Sequence, residues 1–127
     1  MTGRAMGALL GSTAAAALAA GLLASCGSAP DAPAPLHLTT TPAGPDTRLI
    51  LVSAPGFEIN ARLPPALELA GGPVLRFTTG RRTADSAYFA EPPSTHLSGR
   101  HERVHGTLRA SLCRDGEQVC RSVSIEL

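Results

Sequence analysis

Two cysteines, Cys113 and Cys120, are the residues of this chain best suited to chemistry. Two thiols this close in sequence can form a disulfide, bind a metal or exchange electrons with other thiols. The segment between them contains Asp115-Gly116, a strong turn signal, so the cysteines are expected to flank the tip of a β-hairpin. The chain's other cysteine, Cys26, lies in a different context. The central question is therefore whether the Cys113–Cys120 pair is a structural bridge or a redox centre.

Alternation of residue types predicts which face of the hairpin carries the cysteines. Side chains alternate between the two faces of a strand, and the apolar positions of both strands share one face. These positions, expected to pack inward, are Val104, Gly106, Leu108, Ala110 and Leu112 on the first strand and Val119, Val123, Ile125 and Leu127 on the second. Cys113 and Cys120 fall on the opposite, polar face, so both thiols are expected to point outward.

The register of the hairpin has two alternatives. A two-residue turn at Asp115-Gly116 would make the cysteines diagonal neighbours with Cα atoms about 7–8 Å apart, which is long for a disulfide. A six-residue loop over 114–119 would place Cys113 directly opposite Cys120, a spacing that suits a bridge. We expect the longer loop.

The N-terminal region has the parts of an export signal. Arg4 precedes an apolar run over 7–22, and Leu23-Ala24-Ser25-Cys26 closes the run with small residues before a cysteine. Residues 1–25 are therefore interpreted as a secretory signal peptide. Its end resembles the bacterial lipobox, which implies lipidation of Cys26. Residues 26–47 are rich in proline and are expected to be a tether.

The remaining residues, 48–127, are expected to form one small all-β domain. Short runs of strand-forming residues alternate with Gly and Pro turn signals, as at Gly71-Gly72-Pro73, and no window has a sustained helical period. This pattern predicts an immunoglobulin-like antiparallel β-sandwich that ends in the cysteine-bearing hairpin. The whole chain has 11 basic and 10 acidic residues, which gives no indication of nucleic-acid binding.

Two segments of this domain resemble a known family. Residues 56–61, Gly-Phe-Glu-Ile-Asn-Ala, and residues 106–113, Gly-Thr-Leu-Arg-Ala-Ser-Leu-Cys with a second cysteine soon after, are similar to the N-terminal periplasmic domain of the thiol:disulfide interchange protein DsbD. Glu58 stands where that family has a histidine, Ala110 where it has an aromatic residue, and Arg121-Ser122 where it has prolines.

The resemblance implies an immunoglobulin-like fold and thiol–disulfide exchange at Cys113 and Cys120. No cofactor is expected, and no metal site is expected at His96, His101 and His105, because loop and strand structure over 101–105 would hold the imidazoles too far apart. The resemblance implies that Cys120 attacks and Cys113 resolves the mixed disulfide. It also implies an aromatic cap over the pair, for which Tyr88 and Phe89 are the candidates. The alternative interpretation is that both rings belong to the core. The implied partners are thioredoxin-like or DsbD/CcdA-like redox proteins.

Two classes of function thus remain open at the level of sequence. One is a lipid-anchored, extracytoplasmic module, monomeric and at the cell envelope, that relays electrons for disulfide reduction or cytochrome maturation. The other is a non-enzymatic lipoprotein whose immunoglobulin-like domain binds another molecule and whose Cys113–Cys120 bond is purely structural. In small exported domains a lone cysteine pair is most often such a bridge.

Overall fold

The computed structural model describes residues 34–127, and the expected signal peptide and Cys26 lie outside this range. The described part is all-β and without helix, as predicted. Its strands are β1 (Leu36–Ala43), β2 (Asp46–Ser53), β3 (Phe57–Ile59), β4 (Ala66–Leu69), β5 (Val74–Arg76), β6 (Ser94–Leu97), β7 (Gly106–Arg114) and β8 (Cys120–Glu126).

The strands form two antiparallel sheets. The first has the order β1-β2-β6. In the second, β7 is the central strand: it pairs with β8 along one side and with β3 and then β4 along the other, while β5 pairs with β4. The hairpin β4–β5 turns at the predicted Gly71-Gly72-Pro73 segment.

One hydrophobic core lies between the sheets. The first sheet contributes Leu49 and Leu51, which are fully buried, and the second contributes Leu67, Leu108 and Leu112. On β2 the buried leucines are two residues apart, and on β7 the buried Leu108, Ala110 and Leu112 have the same spacing, because alternate side chains of a strand point to the same face. The two sheets thus build the predicted sandwich architecture around a shared apolar layer.

The predicted tether extends too far along the chain. Leu36–Ala43 forms β1, which pairs with β2 over its whole length, and Leu36 is buried in the core. Gly44 has a φ of 62° and, with Pro45, makes the tight turn between the two strands. The proline content of 26–47 favoured a tether. However, the stretch before Gly44 is rich in threonine and contains two leucines, so it has strand propensity and can bury apolar surface. Pro42 is tolerated because β1 is an outer strand.

Candidate functional site

The cysteine pair forms a disulfide across the β7–β8 hairpin. Cys113 and Cys120 are directly opposite each other, with Cα atoms 4.0 Å apart. The register of the longer loop is therefore correct, and the diagonal arrangement does not occur. The Glu117 amide donates to the Arg114 carbonyl at 3.0 Å, and Gly116 has a φ of 77°, a value that glycine adopts without strain.

The hydrogen bonds of the hairpin fix the direction of its backbone groups. The Leu127 amide donates to the Gly106 carbonyl, which marks 106 and 127 as a hydrogen-bonded pair. Because such pairs alternate with non-hydrogen-bonded pairs in an antiparallel ladder, Cys113 and Cys120 form a pair of the second, more closely spaced kind. The amide and carbonyl of Cys120 consequently point away from β7.

The two sulfurs differ in accessibility. Cys113 is 1% exposed, whereas Cys120 is only partly buried. Both cysteines lie on the predicted polar face, but Cys113 is buried there. Its strand, β7, is central, so Cys113 is flanked by Glu58 of β3 and by Cys120 of β8. The prediction that Val119 packs inward is wrong. Its side chain is 67% exposed, because Val119 lies in the loop before β8 begins.

The face of the second sheet that carries Cys113, Ser111, Cys120, Ser122 and Ser124, here called the cysteine face, is organised by Asn60. The Asn60 side-chain amide donates to the Ser111 hydroxyl at 3.3 Å. Its carbonyl oxygen accepts the backbone amides of Arg62 and Leu63, at 2.9 and 3.4 Å. Asn60 thus ties the segment after β3 to the face beside the disulfide. Sequence reasoning did not select it, although an Asn shortly before Pro64-Pro65 is a turn signal.

This segment helps to form a groove on the cysteine face. The groove has a volume of about 340 Å³ and is lined mainly by Leu63, Pro64, Ala66, Arg109, Ser111, Ser122 and Ser124. Leu63 is 64% exposed, which is high for a large apolar residue. Strand β8 contributes Ser122, Val123 and Ser124 to the lining, and Ser122 is two residues from Cys120 on the same face, so the groove lies next to the disulfide.

The charges around the pair do not favour a thiolate at Cys113. Glu58 is directly opposite Cys113 on the cysteine face, and a nearby carboxylate disfavours a second negative charge. Arg114 and Arg121 are neighbours of the pair in sequence, but alternation places both on the other face of the sheet, where Arg114 lies over the Phe57 ring at 5.4 Å. Arg109 shares the cysteine face but is paired with Glu68 at 3.4 Å.

The two candidate cap residues lie on different faces. Phe89 is 9% exposed and belongs to the hydrophobic core, so the core interpretation is correct for this ring. Tyr88 pairs with Asn60 in an isolated bridge, on the side of β3 that faces away from β7. Strand β3 therefore separates Tyr88 from Cys113, and a role of Tyr88 as a cap stays a prediction.

The histidines are dispersed over the described structure. His96 lies in β6, the His101 amide donates to the Thr47 hydroxyl, and the His105 ring contacts the Leu127 carbonyl. Within residues 34–127 no group of three or more metal-binding side chains comes together. The same part of the chain contains no helix long and apolar enough to span a membrane.

Comparisons with protein-family models, with curated proteins and with solved structures found no match to this chain.

Proposed function

We propose that this protein is a membrane-anchored, extracytoplasmic thiol–disulfide exchange module that relays electrons between thioredoxin-like partners, in disulfide reduction or cytochrome maturation. The observation that carries the proposal is the asymmetry of the disulfide, in which Cys120 is partly accessible and Cys113 is buried. Such an arrangement offers one sulfur to a partner and keeps the other for the internal step. The resemblance of the two sequence segments to the DsbD domain supports the same chemistry.

The reaction follows from this asymmetry. In the reduced protein the Cys120 thiolate attacks one sulfur of the partner's disulfide, and the partner's other sulfur leaves as a thiolate. The Cys113 thiol then loses its proton and attacks the Cys120 sulfur, which releases the partner's second thiolate. Two electrons pass from the dithiol to the partner, and the protons from the two protein thiols end on the partner's thiols. Glu58 is opposite Cys113 in the β3–β7 register and is our candidate for the group that accepts this proton.

The location rests on the N-terminal sequence. Export by residues 1–25 and lipidation of Cys26 would hold the domain at the periplasmic face of a membrane, because two or three acyl chains anchor far more firmly than one. An oxidising compartment also agrees with a disulfide in a small domain.

The burial of Cys113 favours the second candidate function, a binding lipoprotein in which the bridge is only structural. The two candidates predict different redox behaviour. A module that exchanges disulfides should have a reduction potential above about −300 mV, whereas a structural bridge should lie below this value. Equilibration of the full chain with thiol redox buffers, followed by acid quenching and mass spectrometry, measures the potential.

Selective alkylation of the reduced, folded protein provides the second measurement. We expect Cys120 to react about tenfold faster than Cys113, because Cys120 is the more exposed and lies farther from the Glu58 carboxylate. The single variants Cys113→Ser and Cys120→Ser assign each rate to one thiol. A potential below about −300 mV, with two equally slow thiols, would overturn the exchange proposal and leave the structural bridge.

A further inference from the structure

Strand β8 leaves one backbone edge without a partner among residues 34–127, because it pairs only with β7. Hydrogen-bonded and non-hydrogen-bonded pairs alternate along β7 and β8, starting from the hydrogen-bonded pair Gly106 and Leu127. This alternation identifies the backbone groups of β8 that point away from β7. They are the amides and carbonyls of Cys120, Ser122, Ser124 and Glu126. The reactive end of the hairpin thus continues into a row of free hydrogen-bonding groups.

This edge lacks most of the features that usually protect an edge strand. Proteins guard such strands by shortness, proline, charged side chains or bulges. Of the other outer strands described, β3 and β5 have three residues each, β6 has four, and β1 contains Pro42. Strand β8 has seven residues in continuous register with β7 and contains no proline and no bulge. Its charged side chains are Arg121, on the face opposite Cys120, and Glu126, at the last position of the strand. It is suited to receive another strand.

We propose that the redox partner of this protein binds as an added antiparallel strand along β8, with its reacting cysteine directly opposite Cys120. This inference rests on the proposed function and specifies how the partner is recognised. Residues opposite each other in a hydrogen-bonded antiparallel pair have Cα atoms about 5.5 Å apart. That Cα separation lies within the 4.4–6.8 Å range of disulfides. The Cβ atoms of such a pair are about 5.5 Å apart and those of a disulfide about 4.5 Å at most, so the mixed disulfide requires a local approach of the added strand at Cys120.

The direction of the existing disulfide agrees with this arrangement. Displacement at a sulfur requires the incoming thiolate to approach opposite the leaving sulfur. When the oxidised protein is reduced by a partner, the leaving sulfur is Cys113 of β7, and the accessible sulfur is Cys120. The incoming thiolate must therefore come from the side of β8 that faces away from β7, where the added strand would lie.

The groove on the cysteine face adds a sequence preference. In the proposed register the partner residue two positions before its cysteine lies opposite Ser122, on the same face as Leu63. The small Ser122 and Ser124 side chains allow a larger side chain to lean across β8 into the groove. The structure thus favours an extended segment with an apolar residue at the second position before the cysteine.

The test uses the reduced full chain and a synthetic peptide of strand-forming residues whose central cysteine carries 2-thio-5-nitrobenzoate. Attack by the Cys120 thiolate on the peptide sulfur forms the mixed disulfide and releases the coloured thiolate, and Cys113 then frees the peptide thiol. The amide of the residue two positions before the peptide cysteine faces β8, whereas that of the residue immediately before it faces away. N-methylation of the residue two positions before the cysteine should slow the reaction about tenfold. N-methylation of the residue immediately before the cysteine should leave the rate within about twofold.

Variants of β8 provide the matched test on the protein. Ser124→Pro removes an outward amide without removing a hydrogen bond to β7, and Ser124→Ala keeps that amide. We expect Ser124→Pro, but not Ser124→Ala, to react more slowly with the peptide. Both variants should react with dithiothreitol at the normal rate. If Ser124→Pro also reacts abnormally with dithiothreitol, the two N-methylated peptides decide the question.

The outcomes separate this inference from the proposed function. Equal rates for the two N-methylated peptides would overturn strand addition while exchange stands. A disulfide that dithiothreitol cannot reduce under mild conditions would overturn exchange itself. Dimerisation of the chain through β8 that blocks the peptide reaction would assign the edge to a second copy and also overturn the inference.

Discussion

At the scale of single residues, a strand pattern assigns the face of a side chain but not its depth. Cys113 and Ser111 are on the predicted polar face, yet both are buried, at 1% and 9% exposed. Their burial follows from neighbours on both sides of β7, among them Glu58 and Asn60, which come from a distant part of the sequence. The chemistry of the pair therefore depends on residues that the local sequence does not contain.

Asp85 provides a prediction at the same scale. It accepts hydrogen bonds from the Thr83 hydroxyl at 2.6 Å and from the Ala87 amide at 3.0 Å. The hydroxyl bond, and next the amide bond, lower the pKa of this carboxyl below its ordinary value of 3.8. Since the pKa of Asp85 is depressed in the folded protein, ionised Asp85 stabilises the fold at pH values above the ordinary pKa. This stabilisation is lost as the pH falls through the folded pKa.

The Ala87 amide resonance reports this titration by NMR. We expect its midpoint below 3.8, and Asp85→Asn should abolish the shift with pH. A midpoint at or above that value would contradict the assigned hydrogen bonds.

At the scale of elements, the approach of β4 to β7 requires glycine at position 106. Gly106 has a φ of 158°, and a Cβ there would overlap the Glu68 carbonyl of the neighbouring strand. Since the obstacle is backbone rather than a flexible side chain, Gly106→Ala should destabilise the protein by about 1–3 kcal/mol.

Urea denaturation measures this change in the free energy of unfolding. Gly44→Ala is the control, because Gly44 also has a positive φ but open space around it, so only the conformational cost of about 1 kcal/mol applies. Equal losses in the two variants would show that the overlap with Glu68 does not matter.

At the scale of the whole molecule, the proposed exchange requires that the disulfide opens without unfolding the domain. It closes a short loop, with a sequence separation of 7, and a loop of this size is expected to contribute about 2.5 kcal/mol through the unfolded state. The core between the two sheets is shared by Leu49, Leu67 and Leu108, none of which depends on the cysteines. We therefore expect the reduced protein to remain folded.

Urea unfolding with and without dithiothreitol, monitored by circular dichroism, tests this expectation. The oxidised form should be more stable by about 2.5 kcal/mol. The double variant Cys113→Ser and Cys120→Ser should show no dependence on the reductant. Unfolding upon reduction at zero urea would favour the structural bridge over a redox cycle.

Sequence by itself determined the features that depend on local periodicity and turn chemistry. These are the all-β class, the β4–β5 turn and the face that carries the cysteines. Strand alternation and glycine-containing turns are properties of a few consecutive residues, so they can be read without the fold. The Cys113–Cys120 register follows from the spacing that suits a bridge, whereas a two-residue turn at Asp115-Gly116 favours the diagonal alternative.

Only the tertiary structure decided what lies beside each strand. It made β7 central and β8 an edge, which buried Cys113 and left Cys120 partly accessible. It also recruited Leu36–Ala43 into a sheet. Burial and edge exposure arise from pairing between segments far apart in sequence, and their free energy depends on contacts that no single segment encodes.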